Sequence, residues 1–421
     1  MLRNSKGFTL VEMIVVMAVF IVVIVISGEV FQTVLQQTSK VFRSEESNIE
    51  GIVGLEVFRH DLQQAGYGLF TEPLCTAYTG EAAAVPASTY NEVARLIDDP
   101  CSPPESPVPA LRVPPRALVA GNNLSGVADS TSESGKTYNV LVGSDYLALK
   151  GLTLGRNIAS QKWTYLTQDS SGAIPKIWAS GAENLKDADK VLLMRRSLTQ
   201  TTKTLAIVPG SSSSFYTAFS NTAFSKYSTN ASDYVIYGLN GNSTTQMPFN
   251  RSDYFVARPS TVGAVPALCA PNVGTLYKTT VDQGDGKLTY LPLLDCVADM
   301  QVVLGWDLTI GNTTSLGQDG LIDTWSSPDA QFRFGSAAQA DVEAAMADPK
   351  LLASALKIVK VYILAQIGRK DPGYTSPSPI TVGDSGELSI TRNYVLSADK
   401  LNYRWKVYRI VVRPKNLVSN Q

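Results

Sequence analysis

The strongest pattern in the chain lies near its start, where the nineteen residues from Phe8 to Ile26 are apolar except for Thr9 and Glu12. At helical rise this stretch covers roughly 28 Å, close to the hydrocarbon thickness of a bilayer, so it predicts a membrane-spanning helix. Beyond it, Phe31, Val34, Leu35, Val41, Phe42, Ile49, Ile52, Val53 and Leu62 recur mostly at three- and four-residue spacings among polar residues. That period continues the helix in amphipathic form to about Gln64, a rod of roughly 85 Å whose lower half packs on a globular domain. Gly28, Gly51 and Gly54 are weak helix formers within it, and fit either bends or close packing. In FRHDLQQAGY, from Phe58 to Tyr67, Ala65 and Gly66, with Gly68 just beyond, predict where it ends.

The pattern then changes. Residues 71–135 are rich in Pro, Ser, Gly and Ala, with CSPPESPVPALRVPPR from Cys101 to Arg116, and read as loop. Short β-branched or aromatic runs between turn residues follow at Tyr138–Val142, Asp145–Leu149, Val191–Arg195, Thr204–Val208, Tyr234–Tyr237, Tyr254–Ala257, Leu288–Leu291 and Gln301–Trp306. Ile358–Ala365 and Trp405–Val412 are the strongest strands, Ala337–Leu356 reads as a helix, and Gly284 to Gly286 mark a hairpin turn. The fold class expected is α+β, with a long N-terminal helix packed on a large antiparallel β-rich domain.

Composition narrows the functions. With 421 residues and 44% apolar content the chain can bury a sizeable core, and 36 basic against 37 acidic residues leave no field to recruit nucleic acid. A single histidine, His60, excludes clustered-histidine metal sites and most catalytic triads. There is no phosphate-cradling glycine loop, nucleophile elbow or CxxC, and no enzyme is predicted. Cys75, Cys101, Cys269 and Cys296 allow three pairings, of which nearest-neighbour pairing is simplest. Each such bond would close a loop of roughly 26 residues and contribute about 3 kcal/mol, suiting an oxidising compartment. Asp307, Asn312, Asp319 and Asp323, in WDLTIGNTTSLGQDGLIDTW, offer oxygen ligands to a hard cation such as calcium, although EF-hand spacing is absent. An Asp-Gly turn with solvated acids is the simpler reading of that loop. The 5 tryptophans and 18 tyrosines read as core rather than binding surface.

The N-terminus carries the most specific chemistry. Arg3 and Lys6 place the start of the span in the cytoplasm, and nothing like A-x-A follows Ile26, so the apolar segment survives processing. A carboxylate at Glu12 costs about 2.5 to 3.5 kcal/mol within a spanning helix and calls for a partner. KGFTLVEM, Lys6 to Met13, resembles the leader signature of type IV prepilins and pseudopilins. The resemblance implies cleavage after Gly7 by a membrane prepilin peptidase, N-methylation of Phe8, and pairing of Glu12 with the terminal amine of a neighbouring subunit. FRHDLQQAGY is similar to the helix end of the PilW branch of minor pilins, where Asp61 or Arg59 could tie helix to sheet, solvated charges being the default. YFVA at Tyr254, TLYK at Thr275, CVADMQVVLGWD at Cys296 and YRWKVYRIVVRPKNL at Tyr403 are similar to the PilW tail. The tail departs from that pattern where Trp405 follows Arg404 and where Pro414 and Lys415 separate Arg413 from Asn416.

The resemblance thus implies a leader (1–7), a membrane half (8–27) and an amphipathic half (28–66) of the helix, and an extracytoplasmic head (67–421). The head divides into a Pro/Ser-rich region (71–135), an insertion-like part (136–253) and a PilW-like part (254–421). The function implied is that of a minor pilin at or near the tip of a type IV pilus. Its partners would be major and minor pilins, the prepilin peptidase, the inner-membrane assembly platform and inner-membrane lipid, with no nucleic acid and no cofactor beyond calcium. It would sit in the inner membrane, head in the periplasm, and then in the extracellular filament. A pilus-borne adhesin and a type II secretion pseudopilin are the alternatives.

Overall fold

A single helix, α1 (Leu10–Gln64), leads the structure, a computed structural model. It describes residues 10–70 (backbone only for 33–50), 115–123, 128–129 and 137–418, apart from 156, 171, 198–202, 207–215, 226, 228–231, 241–244, 246, 261–264, 282–287, 309–318, 385 and 387–389. The helix ends where the sequence predicts, at Gln64, followed by Gly66 and Gly68 in the left-handed region at φ +83° and +70°.

Nineteen strands follow among the described residues. The first four are β1 (Leu118–Gly121), β2 (Ala128–Asp129), β3 (Tyr138–Val140) and β4 (Tyr146–Gly151). Next come β5 (Trp163–Asp169), β6 (Gly172–Pro175), β7 (Lys190–Ser197), β8 (Lys203–Ala206), β9 (Thr217–Ala218) and β10 (Ser232–Gly238). Then β11 (Asn250–Pro259), β12 (Gly274–Val281), β13 (Leu288–Trp306), β14 (Thr324–Ser326) and β15 (Arg333–Gly335) precede α2 (Gln339–Ala347) and α3 (Pro349–Ala355). The chain closes with β16 (Leu356–Ile367), β17 (Ile380–Val382), β18 (Arg392–Tyr394), β19 (Arg404–Val412) and α4 (Lys415–Val418).

The larger sheet runs β1-β4-β11-β12-β13, continues through β16 to β19, and carries the β14–β15 hairpin on the end of β13; β3 pairs with β11 and β2 with β3. A smaller sheet, β6-β5-β10-β7-β8 with β9 on β7, is inserted between β4 and β11, whose ends meet at the pair Gly151 and Asn250. Every pairing is antiparallel, so the α+β class stands.

Several strands, β5 and β12 among them, were not expected, and three regions differ from the sequence reading for a reason visible in the structure. Leu288–Leu291 and Gln301–Trp306 belong to one strand, β13, whose first half pairs with β12 and second half with β16. Pro292 and Cys296 suggest a break between them, but the irregular pairing with β12 and the left-handed Cys296 (φ +56°) absorb the misfit. The helix expected over Ala337–Leu356 is two helices, because Pro349 lacks the N–H that would continue the first. Asp348 instead caps α3, accepting from the N–H groups of Lys350 (2.8 Å) and Leu351 (2.9 Å). The Pro- and Ser-rich region holds β1 and β2, strands made by their pairing with β4 and β3 rather than by local propensity.

The main core lies between helices and the larger sheet. Leu55, Phe58 and Leu62 of α1, with Ala65 just after it, join Tyr254, Val256, Leu276 and Val302 of the sheet and Val342, Ala345 and Leu352 of α2 and α3. On β7, Leu192 and Met194 enter this core, while Val191 and Leu193 point the other way into a separate cluster with Phe219, Phe224 and Ile236. The smaller sheet is therefore buried on both faces at β7. A third cluster, with Val303, Tyr362 and Leu364, packs against Val382 and Ile390 near the β17–β18 hairpin.

Candidate functional site

The functional residues of α1 fall into two halves of one rod. Leu10 to Gln32 is long and apolar enough to cross a membrane, and its side chains are exposed throughout. Exposed apolar surface on this scale is stable only in lipid or against other apolar helices. Glu12 lies near its start, an acid among the exposed apolar side chains of Leu10, Val11, Met13 and Ile14. Gly7 and Phe8 lie outside the described residues.

The lower half is seated on the sheet by a row at helical spacing. A Cβ at Gly54 would collide with the backbone carbonyl of Leu293 on β13, and one at Gly51 would come within 2.9 Å of the Leu294 side chain. Close packing, not bending, therefore explains these two glycines, whereas nothing approaches Gly28. One turn on, the Phe58 ring stacks on Tyr254 of β11 with centroids 3.9 Å apart.

Next on the same row is Asp61, which is buried. Its Oδ2 accepts from the Tyr254 hydroxyl at 2.5 Å and lies 2.5 Å from Nζ of Lys278 on β12, while Oδ1 is 3.5 Å from His60 Nδ1. Burial, then the neighbouring Asp61 carboxylate, holds the Tyr254 phenol well above its usual range, so it remains a donor. Of the two candidates for a tie, Asp61 makes it; Arg59 is exposed and lies 3.9 Å from Glu56. Below the row, the Gly66 N–H donates to Lys150 O (2.8 Å), the Leu152 N–H to Tyr67 O (2.9 Å) and Asn416 Nδ2 to Gln63 O (3.4 Å). The helix end is thus joined to β4 and α4.

An exposed apolar half with an acid near its start, joined to an antiparallel head, is the architecture of a subunit held by its helix. The family model of the prokaryotic N-terminal methylation motif matches residues 2–28. This match supports a type IV pilin-like protein, made as a prepilin, processed by prepilin peptidase and assembled with other pilins in a pilus or pseudopilus. Neither the curated proteins nor the solved structures return a match. Such pilin-like chains are structural and generally not enzymes.

In the pilin-like head, Cys269 and Cys296 form a disulfide with Cα atoms 5.1 Å apart, one of the nearest-neighbour pairs; Cys75 and Cys101 lie outside the described residues. The bond joins the loop before β12 to the midpoint of β13, where that strand changes partners.

Asp307, Asp319 and Asp323 do converge, with carboxylate oxygens within 4.8 Å of one another; Asn312 lies outside the described residues. Asp307 is already met by protein groups: the N–H groups of Asp319 (3.0 Å) and Gly320 (2.9 Å) donate to it and Lys357 Nζ lies 3.4 Å away. Asp323 accepts from the Leu308 N–H at 3.2 Å. These donors already occupy carboxylate oxygens that a cation would use. Adding a chelator is expected to leave the melting temperature unchanged; a reproducible fall, reversed by calcium, would establish a cation site.

Two buried charge clusters carry no signal strong enough to find them in the sequence. Arg251 grips Asp253 through Nε (2.6 Å) and a terminal nitrogen (2.7 Å), with the Tyr146 hydroxyl donating to the same carboxylate at 2.5 Å. Farther along the sheet, Asp145 accepts from the N–H groups of Asn123 (2.8 Å) and Val302 (2.7 Å), and Asp299 pairs with Arg392 at 2.8 Å. Burial pushes both acids up, Asp299 to about 6 against the opposing pull of Arg392. Both clusters tie strands together.

Proposed function

We propose that the chain is a minor pilin of the PilW type, cleaved after Gly7, N-methylated at Phe8 and packed into a type IV pilus at or near its tip. The observation that carries this reading is the fully exposed apolar span from Leu10 to Gln32 with Glu12 near its start. In lipid this segment anchors the subunit with its head on the periplasmic side; in a filament the same surface packs against the helices of neighbours. A carboxylate at Glu12 and a terminal ammonium at Phe8 of an adjacent subunit attract strongly where little water screens them, and so set the register of packing. Major and minor pilins, the inner-membrane assembly platform and membrane lipid are the partners this requires. The head is bulky beside the slender helix, which limits how many copies a regular filament accepts.

The test is a pair of measurements on the same strain. Glu12→Ala is expected to reach the membrane at normal levels, because removing a charge favours insertion. Its recovery in sheared filaments should fall by about tenfold or more, the cost of leaving the partner ammonium unpaired. Undiminished recovery would overturn the register role. Intact mass of the wild-type protein should correspond to a chain beginning at methylated Phe8, and an unprocessed Met1 in a host with active peptidase would overturn the assignment.

A further inference from the structure

The smaller sheet displays aromatic rings where a purely structural sheet would bury them. Along β5 the residues alternate, with Thr164 and Leu166 buried and Trp163 (41% exposed) and Tyr165 (37%) facing out. Trp178 packs edge-on against both, with ring centroids 5.2 Å and 5.8 Å away. Three hydrogen bonds hold Trp178 in place: its backbone N–H donates to Asn184 Oδ1 (2.7 Å), Asn184 Nδ2 donates to its carbonyl (3.0 Å), and its indole N–H donates to Trp163 O (2.9 Å). The indole has no other donor, so what it offers a ligand is its ring. Rings held in one pose lose little entropy on binding.

These tryptophans line a cleft of about 460 Å³ with Ile158, Gln161, Lys162, Ala182 and Glu183. That volume and this mix of aromatic walls with few polar groups suit a small ligand. Lys162 is committed, donating from Nζ to Asn184 O at 2.6 Å. Gln161 and Glu183 are exposed, and their side chains make no hydrogen bond among the described residues. The uncommitted groups are thus an amide, which both donates and accepts, and a carboxylate, which accepts. Lys162 and Glu183 leave the lining without net charge, so nothing in it draws phosphate-bearing ligands such as nucleic acid or anionic lipid. A ligand with one flat apolar face and a rim of neutral hydroxyls matches on both counts.

We propose that this cleft binds a neutral saccharide, with a pyranose face laid on Trp163 or Trp178 and its hydroxyls on Gln161 and Glu183. The site is independent of α1, so binding and filament assembly can fail separately. The test uses the full chain in a detergent without a sugar headgroup, titrated with maltohexaose, cellohexaose and chitohexaose and followed by calorimetry. At least one should bind saturably. Trp178→Ala and the surface double variant Gln161→Ala with Glu183→Gln should each weaken it about tenfold, while Trp163→Phe retains a ring and most of the affinity. The double variant removes no packing, so it decides the matter even where Trp178→Ala lowers the melting temperature. Absence of binding to all three sugars, equal binding by the double variant, or preference of the same cleft for a single-stranded oligonucleotide or an unfolded peptide would each overturn the proposal.

Discussion

Replacing Asp61 with alanine is expected to destabilise the head by about 3–5 kcal/mol, the largest effect of any single substitution considered. The side chain lies in the seam between α1 and the sheet, and its loss strands two groups at once. The Tyr254 hydroxyl loses its acceptor, and Lys278, only 14% exposed, keeps a charge with no counterion. An unpaired buried cation costs more than the pair contributed, so the loss exceeds the worth of the salt bridge itself. Two companions sharpen the result. Asp61→Asn keeps an acceptor for Tyr254 and should lose less, whereas pairing Asp61→Leu with Lys278→Met removes both charges and should recover much of the stability. Urea unfolding of the four proteins checks this, and a cost below about 1 kcal/mol for Asp61→Ala would mean that the helix is not held here.

Gly54→Ala is expected to cost about 1–3 kcal/mol, although alanine is the better helix former by about 1 kcal/mol. The atom that a Cβ would strike is the Leu293 carbonyl oxygen, part of the backbone of β13 where that strand runs beside β12, rather than the end of a side chain that could swing aside. Helix and sheet must part, loosening the contacts of Leu55 and Phe58 just after the glycine. Gly28→Ala is the matched control, since nothing lies within 4 Å of it. It gains helix propensity without a clash, and head melting should not change. Equal melting temperatures for the two variants would contradict the close approach.

The rod and its seat were legible to different degrees for physical reasons. Amphipathic spacing is a local property, so Leu62 and the glycine pair after it were enough to place the helix end at Gln64. Asp61 is three residues after Phe58 and four before Ala65, on the buried row itself, and that position is a usable signal for a buried acid. Charge type alone points the other way, toward solvent. Gly54 reads equally as a hinge or as a close approach, because the answer depends on a strand far away in the chain. The same dependence hides β5: WTYLTQD is half polar, and it is a strand because β10, more than sixty residues on, pairs with it through Val235 and Tyr165. The aromatic cleft was lost for a related reason, since composition assigns tryptophan to the core and only the pleat of β5 turns Trp163 outward.

Tyr254 follows Asp61 by 193 residues, and this separation governs the order in which the molecule can mature. Synthesis delivers the anchor first, yet the strip carrying Phe58 and Leu62 has nothing to lie on until β11 to β13 have emerged and paired. Pairings this distant in sequence are slow to find. A newly inserted subunit therefore waits at the membrane with a sticky stripe uncovered, and a shielding protein in the same compartment, or prompt delivery of the rest of the chain, decides whether it ripens or clumps.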